Sequence, residues 1–294
     1  MYYFIFPIFY LISLLPLRVL YLLSDVVYLI IYYLVKYRRD VVYKNLTIAF
    51  PNATHEEKIK ISKSFYKKFV DTFIETIKLI SISKKEFLRR IDFDASVFDE
   101  LHKQGKNVQI HTGHFFNYEF MNLSIALKSK FAFLGIFTPI SSKVFYKIMW
   151  NMRSKFGTIL IPSSEFKNNF HMYANKEYGL GLVADQNPGS PLNAYWVDFF
   201  GKKTAFVRGP EKGSKQLGTA VVMLYINSTK RGYYKLEASL LTTNAKDTPD
   251  GFVTKKLIEF IETKVKEHPS NYLWTHKRWK YEFDQEKYGH LAIN

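Results

Sequence analysis

Asn107-Val-Gln-Ile-His-Thr-Gly-His-Phe-Phe-Asn-Tyr-Glu-Phe120 begins as a short apolar run, breaks at Gly113 and continues into a segment that can form a helix. The break carries His114, and Glu119 follows after four intervening residues. At the end of a strand, this spacing lets the carboxylate fold back beneath the imidazole. A carboxylate there fixes the tautomer and raises the basicity of a histidine that removes a proton from a hydroxyl. The stretch therefore predicts His114 as a general base oriented by Glu119.

From about residue 91 onward, short apolar runs alternate with helical patterns. The predicted strands are 108–111, 131–137, 158–161, 180–184, 220–226 and 234–239, and the predicted helices lie near 96–104, 117–128, 142–155, 164–175, 209–217 and 252–266. This alternation predicts an α/β fold with a mostly parallel central sheet flanked by helices. Reactive groups in such sheets gather where strands end, and both His114 and Asp185-Gln186 lie just past a predicted strand end.

The N-terminal stretch is almost uncharged, since residues 1–35 contain only Arg18 and Asp25 as charged side chains. It lacks the basic start and small-residue cleavage site of a signal peptide. A helix from Leu17 to Val35 would be about 28 Å long, close to the thickness of a bilayer core. Asp25 would cost roughly 2.5–3.5 kcal/mol if it faced lipid. We expect one tilted span or a half-buried helical hairpin with Asp25 turned toward protein or the interface; a buried soluble helix is the alternative.

Basic residues follow this apolar stretch at once, in Lys36-Tyr-Arg-Arg39. Such residues favour the cytoplasmic side of a membrane. We therefore predict a hydrophobic membrane anchor at residues 1–39 and a single α/β domain at residues 40–294, on the cytoplasmic side.

The next segment carries a strong helix signal, which opens with a capping-box pattern at Thr54 and Glu57. Apolar residues then recur at helical spacing, namely Ile61, Phe65, Phe69, Phe73, Ile77 and Ile80. Lysines occupy much of the remainder, namely Lys58, Lys60, Lys63, Lys67 and Lys68. The apolar stripe predicts a helix packed on the core. The lysines either form a solvated face or contact anionic headgroups or an acidic carrier, and the sequence leaves both alternatives open.

The charge balance indicates an anionic partner, because 42 Lys+Arg against 26 Asp+Glu give a formal net charge of +16. Nucleic acid, an acidic membrane surface, a phosphorylated substrate and an acidic carrier protein all fit this charge. The aromatic content of 17% is typical of a chain that meets lipid headgroups. No nucleic-acid-binding motif accompanies the charge, so we predict no nucleic acid partner. The absence of cysteine excludes disulfides, thiolate metal sites and a cysteine nucleophile.

His111 and His114 form a His-x-x-His pattern that could indicate a metal ion. The sequence offers no further ligands at a spacing that would complete a site, and no Gly-rich phosphate loop. We therefore predict neither a metal nor a cofactor, and interpret His111 as a strand-end residue that supports the site.

Other polar residues stand at the ends of predicted elements. Arg153 closes a predicted helix ahead of Gly157, which suits the residue after a helix C-terminus. An arginine there ordinarily complements the helix dipole, but it can also bind a phosphate or stabilise an oxyanion. Asp185-Gln186 begins a polar turn after an apolar strand, and Arg208-Gly-Pro-Glu211 opens another helix.

Five ordered pieces of the sequence resemble the late acyltransferases of lipid A biosynthesis, within the lysophospholipid-acyltransferase-like superfamily. They are the apolar anchor with Asn45-Leu46…Phe50-Pro51, Gly113-His114-Phe-Phe-Asn117-Tyr-Glu119, Arg153…Phe156-Gly157, Asp185-Gln186…Phe199-Phe200-Gly201 and Tyr272-Leu-Trp274-Thr-His276-Lys-Arg278. Together they extend from about residue 15 to residue 282. Their order and spacing, rather than any one piece, make the resemblance specific.

The resemblance implies transfer of a fatty acyl chain from acyl carrier protein to a hydroxyl of a lipid A precursor, a phosphorylated glycolipid, at the inner membrane. His114 and Glu119 match the family's catalytic histidine and the acidic residue after four positions. Arg153 matches an arginine expected to contact an oxyanion or a phosphate. The implied substrate-binding residues are Asn117, Asp185, Gln186, Arg208 and Glu211. No covalent acyl-enzyme is needed, which is consistent with the absence of cysteine.

Two residues beside the histidine depart from the family pattern, since Phe116 stands where many relatives have glycine and Tyr118 where they often have tryptophan. The acceptor or chain-length preference could therefore differ. The alternatives are an acyltransferase acting on another glycolipid, an aminolipid or a lysophospholipid, or a catalytically inactive membrane-anchored binding protein.

Overall fold

A computed structural model describes residues 2–173 and 177–293 of the chain. The helices are α1 (Tyr2–Leu14), α2 (Leu17–Leu29), α3 (Arg39–Ala49), α4 (His55–Leu79), α5 (Lys84–Leu88), α6 (Ser96–Lys103), α7 (Tyr118–Lys128), α8 (Lys143–Arg153), α9 (Phe166–Tyr173), α10 (Gly209–Leu217), α11 (Phe252–Glu267) and α12 (Gln285–Tyr288). The strands are β1 (Ile91–Phe93), β2 (Val108–Thr112), β3 (Ala132–Phe137), β4 (Ile159–Pro162), β5 (Tyr178–Val183), β6 (Ala194–Phe199), β7 (Lys202–Val207), β8 (Ala220–Lys230) and β9 (Tyr233–Thr242). A π-helical segment, Ile30–Val35, continues α2.

Within the described residues, seven strands form one sheet in the order β1-β9-β8-β2-β5-β3-β4. Neighbouring strands are parallel except β8 and β9, which are antiparallel. Every residue of β2 is buried, as in a parallel strand covered on both faces. The predicted α/β fold with a mostly parallel sheet is therefore confirmed.

The strands predicted from apolar runs are all present, although β8 and β9 continue through polar residues beyond their predicted ends. The apolar pattern does not predict β1, β6 or β7. The β6–β7 hairpin turns at Phe200 and Gly201, which both have positive φ, as the favoured two-residue hairpin turns require. The helix predicted near 164–175 begins at Phe166, and positions 174 and 175 of that prediction lie outside the described residues.

The long helix α4 begins with the predicted capping box. The Glu57 backbone N–H donates to Thr54 Oγ1 at 3.2 Å, and the Thr54 N–H donates to Glu57 Oε2 at 2.7 Å. Of the predicted apolar stripe, Phe65 is fully buried but Phe73 is 57% exposed. The buried face also includes a carboxylate, Glu75, and is therefore less uniformly apolar than the sequence pattern indicates.

The N-terminal helices pack on later elements of the fold, with α1 contacting α4 and α8, and α2 contacting α4. The helical stretch Leu17–Val35 is long and apolar enough to cross a membrane, yet part of it is buried inside the molecule. Leu17 and Leu20 face the protein, whereas Leu22 and Leu34 are exposed. Asp25 is turned toward protein, as expected, because its Oδ1 accepts a hydrogen bond from Arg231 Nη2 at 2.8 Å.

Candidate active site

A cavity of about 430 Å³ lies beside the carboxyl ends of β2, β3 and β5, within the size range of small-molecule sites. Its polar lining includes His114, Glu119, Arg153 and Gln186. The apolar lining includes Ile110, Met121, Ile125, Phe133, Leu160 and Leu224. The cavity therefore combines a cluster of reactive groups with an extended apolar surface.

His114 and Asp185 meet because β2 and β5 are parallel neighbours. Thr112 pairs with Val183, and the same register continued by two residues places His114 opposite Asp185. The His114 backbone N–H donates to Asp185 Oδ2 at 3.0 Å, and its Nδ1 forms a short hydrogen bond with Asp185 Oδ1. An ionised carboxylate can only accept, so Nδ1 carries the proton and Nε2 is left as the basic nitrogen. Gln186 Nε2 lies 3.1 Å from that nitrogen.

The Asp185 carboxyl group is buried, with 2% of the residue exposed. Burial acts to raise the pKa of Asp185, but the charge of His114 and hydrogen bonds from the side chain and backbone of His114 outweigh it and lower that pKa to about 2. The group is therefore an anion throughout the neutral range. It can hold the imidazole orientation and stabilise its protonated form.

Glu119 does not occupy the position expected of it beneath His114. Asn117 Oδ1 accepts from the Glu119 backbone N–H at 3.2 Å, which fixes Glu119 in the first turn of α7. From there its carboxylate meets Arg153 at the end of α8, with Arg153 Nε 3.0 Å from both carboxylate oxygens and Nη2 2.5 Å from Oε1. Among the described residues, Glu119 makes no hydrogen bond to His114. The carboxylate at Nδ1 is that of Asp185.

Arg153 is the last residue of α8, and the helix ends before Gly157, which lies three positions beyond the C-cap residue Ser154. Burial acts to lower the pKa of Arg153, whereas the charge and hydrogen bonds of Glu119 outweigh it and raise that pKa. Within the described part of the chain, Arg153 Nη1 has no hydrogen-bond partner. The guanidinium is therefore held along one edge and retains donors for a ligand in the cavity.

The remaining predicted substrate-binding residues do not line this cavity. Asn117 is fully buried, and both ends of its side-chain amide form hydrogen bonds. Its Oδ1 accepts from the Glu119 N–H, and its Nδ2 donates to Glu75. Arg208 packs over the ring of Tyr195 at 4.6 Å. Glu211 Oε2 accepts from both the backbone N–H and the hydroxyl of Thr254, at the start of α11. Substrate contact by Asn117, Arg208 and Glu211 stays a prediction.

His111 is buried within β2, where its Nε2 lies 3.0 Å from the side-chain amide of Gln109. Burial lowers the pKa of His111 to about 4, so the ring is neutral at neutral pH. The His111 ring contacts Gln109 within the strand, whereas His114 lines the cavity. The two imidazoles therefore do not converge on one site. Across residues 2–173 and 177–293, no cluster of three or more His, Asp or Glu side chains is arranged to hold a metal ion.

The C-terminal segment 272–279 contacts His114 and the turn after Asp185, and the sequence did not predict these contacts. The Leu273 backbone N–H donates to the His114 carbonyl at 3.1 Å. Arg278, 2% exposed, donates through Nη1 to Asn187 Oδ1 and through Nη2 to the Ala205 carbonyl. Asn187 follows Asp185-Gln186, so Arg278 fixes the turn that presents Asp185. In the sequence, the mixture of aromatic and cationic residues in this segment is the feature that could have indicated these contacts.

Helix α3 holds the same segment in place through Asn45. Asn45 Nδ2 donates to the carbonyls of Trp274 and His276, each at 2.8 Å. His276 Nε2 accepts from the Asn187 N–H at 3.3 Å. Burial, reinforced by the charge of Arg278, lowers the pKa of His276 to about 4. A neutral His276 is the form that can accept this bond.

A family model described as bacterial lipid A biosynthesis acyltransferase matches residues 1–281. The chain belongs to this family. The match confirms the predicted family and identifies the protein as an acyltransferase of lipid A biosynthesis. No match was found among curated proteins. The family implies an acyl donor and a lipid A acceptor, and the apolar cavity beside His114 is compatible with such substrates.

Proposed function

We propose that this lipid A acyltransferase moves a fatty acyl chain from acyl carrier protein to a hydroxyl of a lipid A precursor, with His114 as general base and Asp185 as its orienting carboxylate. The observation that carries the proposal is the pairing of His114 Nδ1 with the buried Asp185 carboxylate beside a largely apolar cavity. This pairing leaves a basic nitrogen where an acceptor hydroxyl can approach.

In the proposed reaction, His114 Nε2 takes the proton of the acceptor hydroxyl as its oxygen attacks the thioester carbonyl carbon. The tetrahedral intermediate collapses with cleavage of the C–S bond. The leaving thiolate receives the proton from the imidazolium, which returns His114 to its starting form. Asp185 stays ionised and stabilises the imidazolium during these steps. The products are the ester and the free carrier thiol.

Arg153 is the residue best placed to stabilise the developing oxyanion. It lines the cavity together with His114, and Glu119 holds the guanidinium through Nε and Nη2, which leaves Nη1 as a donor for the oxyanion. Donors fixed in advance toward developing charge lower the barrier without reorganisation during the reaction. In this proposal Glu119 positions Arg153. A phosphate of the acceptor is the alternative ligand for the same guanidinium.

The apolar part of the cavity would hold the acyl chain. Gly181 and Gly135, on β5 and β3, line it and leave room that side chains would fill. A Cβ on Gly181 would lie 2.9 Å from Phe133 Cζ, so the ring would have to move. Phe133 also lines the cavity, and its position therefore sets part of the available depth.

Gly181→Ala should shift the preference of the enzyme toward shorter acyl donors. We expect the ratio of kcat/KM for the longest accepted chain to that for a shorter one to fall by roughly tenfold, the usual consequence of mismatch in an apolar pocket. Gly209→Ala is the matched control, because no heavy atom lies within 4 Å of the added Cβ. A chain-length profile identical to wild type would contradict assignment of this cavity to the acyl chain.

The proposals of membrane attachment and of acidic partners rest on the composition of the chain. The helical stretch Leu17–Val35 supports attachment to the inner membrane, and Lys36-Tyr-Arg-Arg39 supports a catalytic domain on its cytoplasmic side. A net charge of +16 favours association with an acidic carrier protein and a phosphorylated glycolipid.

The donor and the acceptor can be tested together with the detergent-solubilised protein. Acyl chains of equal length would be supplied on acyl carrier protein or on coenzyme A, with a lipid A precursor or a lysophospholipid as acceptor. We expect release of carrier thiol that requires the lipid A precursor and is fastest with the carrier-protein donor. Transfer to the lysophospholipid alone would contradict the proposed acceptor, and equal rates from both donors would contradict the proposed carrier.

A further inference from the structure

Glu75 of α4 is a buried carboxylate, 1% exposed, that does not line the cavity. Within the described residues, three side chains donate hydrogen bonds to it. They are Tyr21 Oη at 2.7 Å from Oε1, Asn117 Nδ2 at 3.1 Å from Oε2, and Tyr234 Oη, also on Oε2. Burial raises the pKa of Glu75, and the hydrogen bonds act in the opposite direction. Such a group is costly to bury and is held by its donors.

The donors to Glu75 come from separate parts of the fold. Tyr21 belongs to the apolar helix α2, Tyr234 to β9, and Asn117 to the turn that follows His114. The other end of the Asn117 amide accepts from the Glu119 N–H, and Glu119 binds Arg153. Hydrogen bonds thus connect α2 through Glu75 and Asn117 to the backbone of Glu119, whose side chain holds the guanidinium in the cavity.

Further polar contacts fix how α2 is rotated against α4. Ser24 Oγ donates to Asp71 Oδ1 at 2.6 Å, and Arg231 bridges Asp71 and Asp25. Apolar packing alone would tolerate rotation or exchange of such a helix, whereas these bonds specify one orientation. They hold the Tyr21 hydroxyl against Glu75.

We propose that Glu75 is a positioning residue for the active site and that Tyr21 holds it, so that helix α2 serves catalysis in addition to its proposed anchoring role. The expected fall in kcat rests on the proposed function, whereas the expected loosening of the structure around Asn117 does not. Loss of the Tyr21 hydroxyl or of one Glu75 oxygen should loosen Asn117, and with it the start of α7 and the Glu119–Arg153 pair.

Tyr21→Phe and Glu75→Gln are the informative substitutions. The first removes a single hydroxyl from α2, and the second keeps the shape of the side chain but replaces an acceptor oxygen with an amide donor. We expect kcat to fall by about tenfold, equivalent to about 1.4 kcal/mol, with KM for donor and acceptor unchanged. Tyr32→Phe is the control, because Tyr32 is buried on the continuation of the same helix but packs against Tyr66.

Hydrogen exchange measured by mass spectrometry supplies a readout that needs no acyl transfer. In Tyr21→Phe and Glu75→Gln we expect faster exchange in peptides covering residues 114–121 and wild-type exchange in β2, β5 and β8. In Tyr32→Phe the 114–121 peptides should behave as wild type.

Two results would overturn the inference. One is wild-type kcat with wild-type exchange over 114–121 in both variants. The other is faster exchange spread evenly over the sheet, because this would indicate a general loss of stability. If the wild-type protein transfers no acyl chain but exchange over 114–121 still rises in the variants, the proposed function fails and the positioning role stands.

Discussion

Replacing His114 with alanine should lower the rate of acyl transfer by about 10²- to 10⁴-fold, the usual contribution of a general base. The imidazole is the group that accepts the hydroxyl proton in the proposed reaction. Its side chain is 20% exposed at the cavity, so removal leaves little unfilled space in the core. Asp185 keeps the hydrogen bond from the residue 114 backbone N–H. We therefore expect the variant to fold and to associate with membranes as wild type does.

The measurement is steady-state transfer with purified, detergent-solubilised protein, accompanied by thermal unfolding. His290→Ala is a suitable control, since His290 is exposed and lies near the C-terminus. A His114→Ala enzyme that retains more than half of the wild-type kcat would exclude His114 as the base.

Asp185→Asn should be almost as damaging, with a loss of about 10²- to 10⁴-fold in kcat. The asparagine keeps the shape of the side chain, but it can present an N–H to Nδ1. The imidazole proton would then move to Nε2, and the nitrogen that faces the hydroxyl could no longer accept. Glu119→Gln should cost less, because it weakens the hold on Arg153 and leaves the Nδ1 hydrogen bond intact.

Comparison of Asp185→Asn and Glu119→Gln under the same conditions distinguishes two arrangements of the site, in which either Asp185 or Glu119 orients His114. A large loss in Asp185→Asn and a smaller one in Glu119→Gln agrees with the observed pairing. The reverse order would favour Glu119 as the orienting carboxylate, as its spacing from His114 first indicated.

The low pKa of Asp185 also predicts how the stability of the protein changes at low pH. Its folded-state pKa of about 2 lies below the usual aspartate pKa of about 3.9. The stability that it contributes is therefore fully present above about pH 4 and is lost as the pH falls toward 2. The difference in unfolding free energy between wild type and Asp185→Asn should shrink as the pH falls below about 4. Chemical denaturation across this range measures it.

Local sequence pattern was sufficient to predict that His114 lies just past the end of a strand. The apolar run of β2, the break at Gly113 and the position of His114 just past the strand end all follow from one continuous stretch. Asp185 was recognised as a strand-end residue for the same reason. Its pairing with His114 was not predicted, because it depends on β2 and β5 being neighbours in a particular register. Glu119, closer in sequence, was assigned the role instead.

Other features depend on contacts between distant segments. The β6–β7 hairpin has an apolar face that becomes a core only when residues near the C-terminus cover it, as Phe283 and Tyr288 do over Trp196. Glu75 lies on a helix with many charged residues, and its burial becomes evident only from its contacts with Tyr21 and Tyr234. Periodicity cannot distinguish such a carboxylate from a solvated one.

Mass spectrometry of lipid A tests the central claim most directly. Lipid A would be extracted from cells that lack the gene and from the same cells supplied with the wild-type protein, His114→Ala or Asp185→Asn. We expect loss of one secondary acyl chain without the gene, full restoration by the wild type and no restoration by His114→Ala. A lipid A profile unchanged by loss of the gene, or fully restored by His114→Ala, would contradict the proposed reaction.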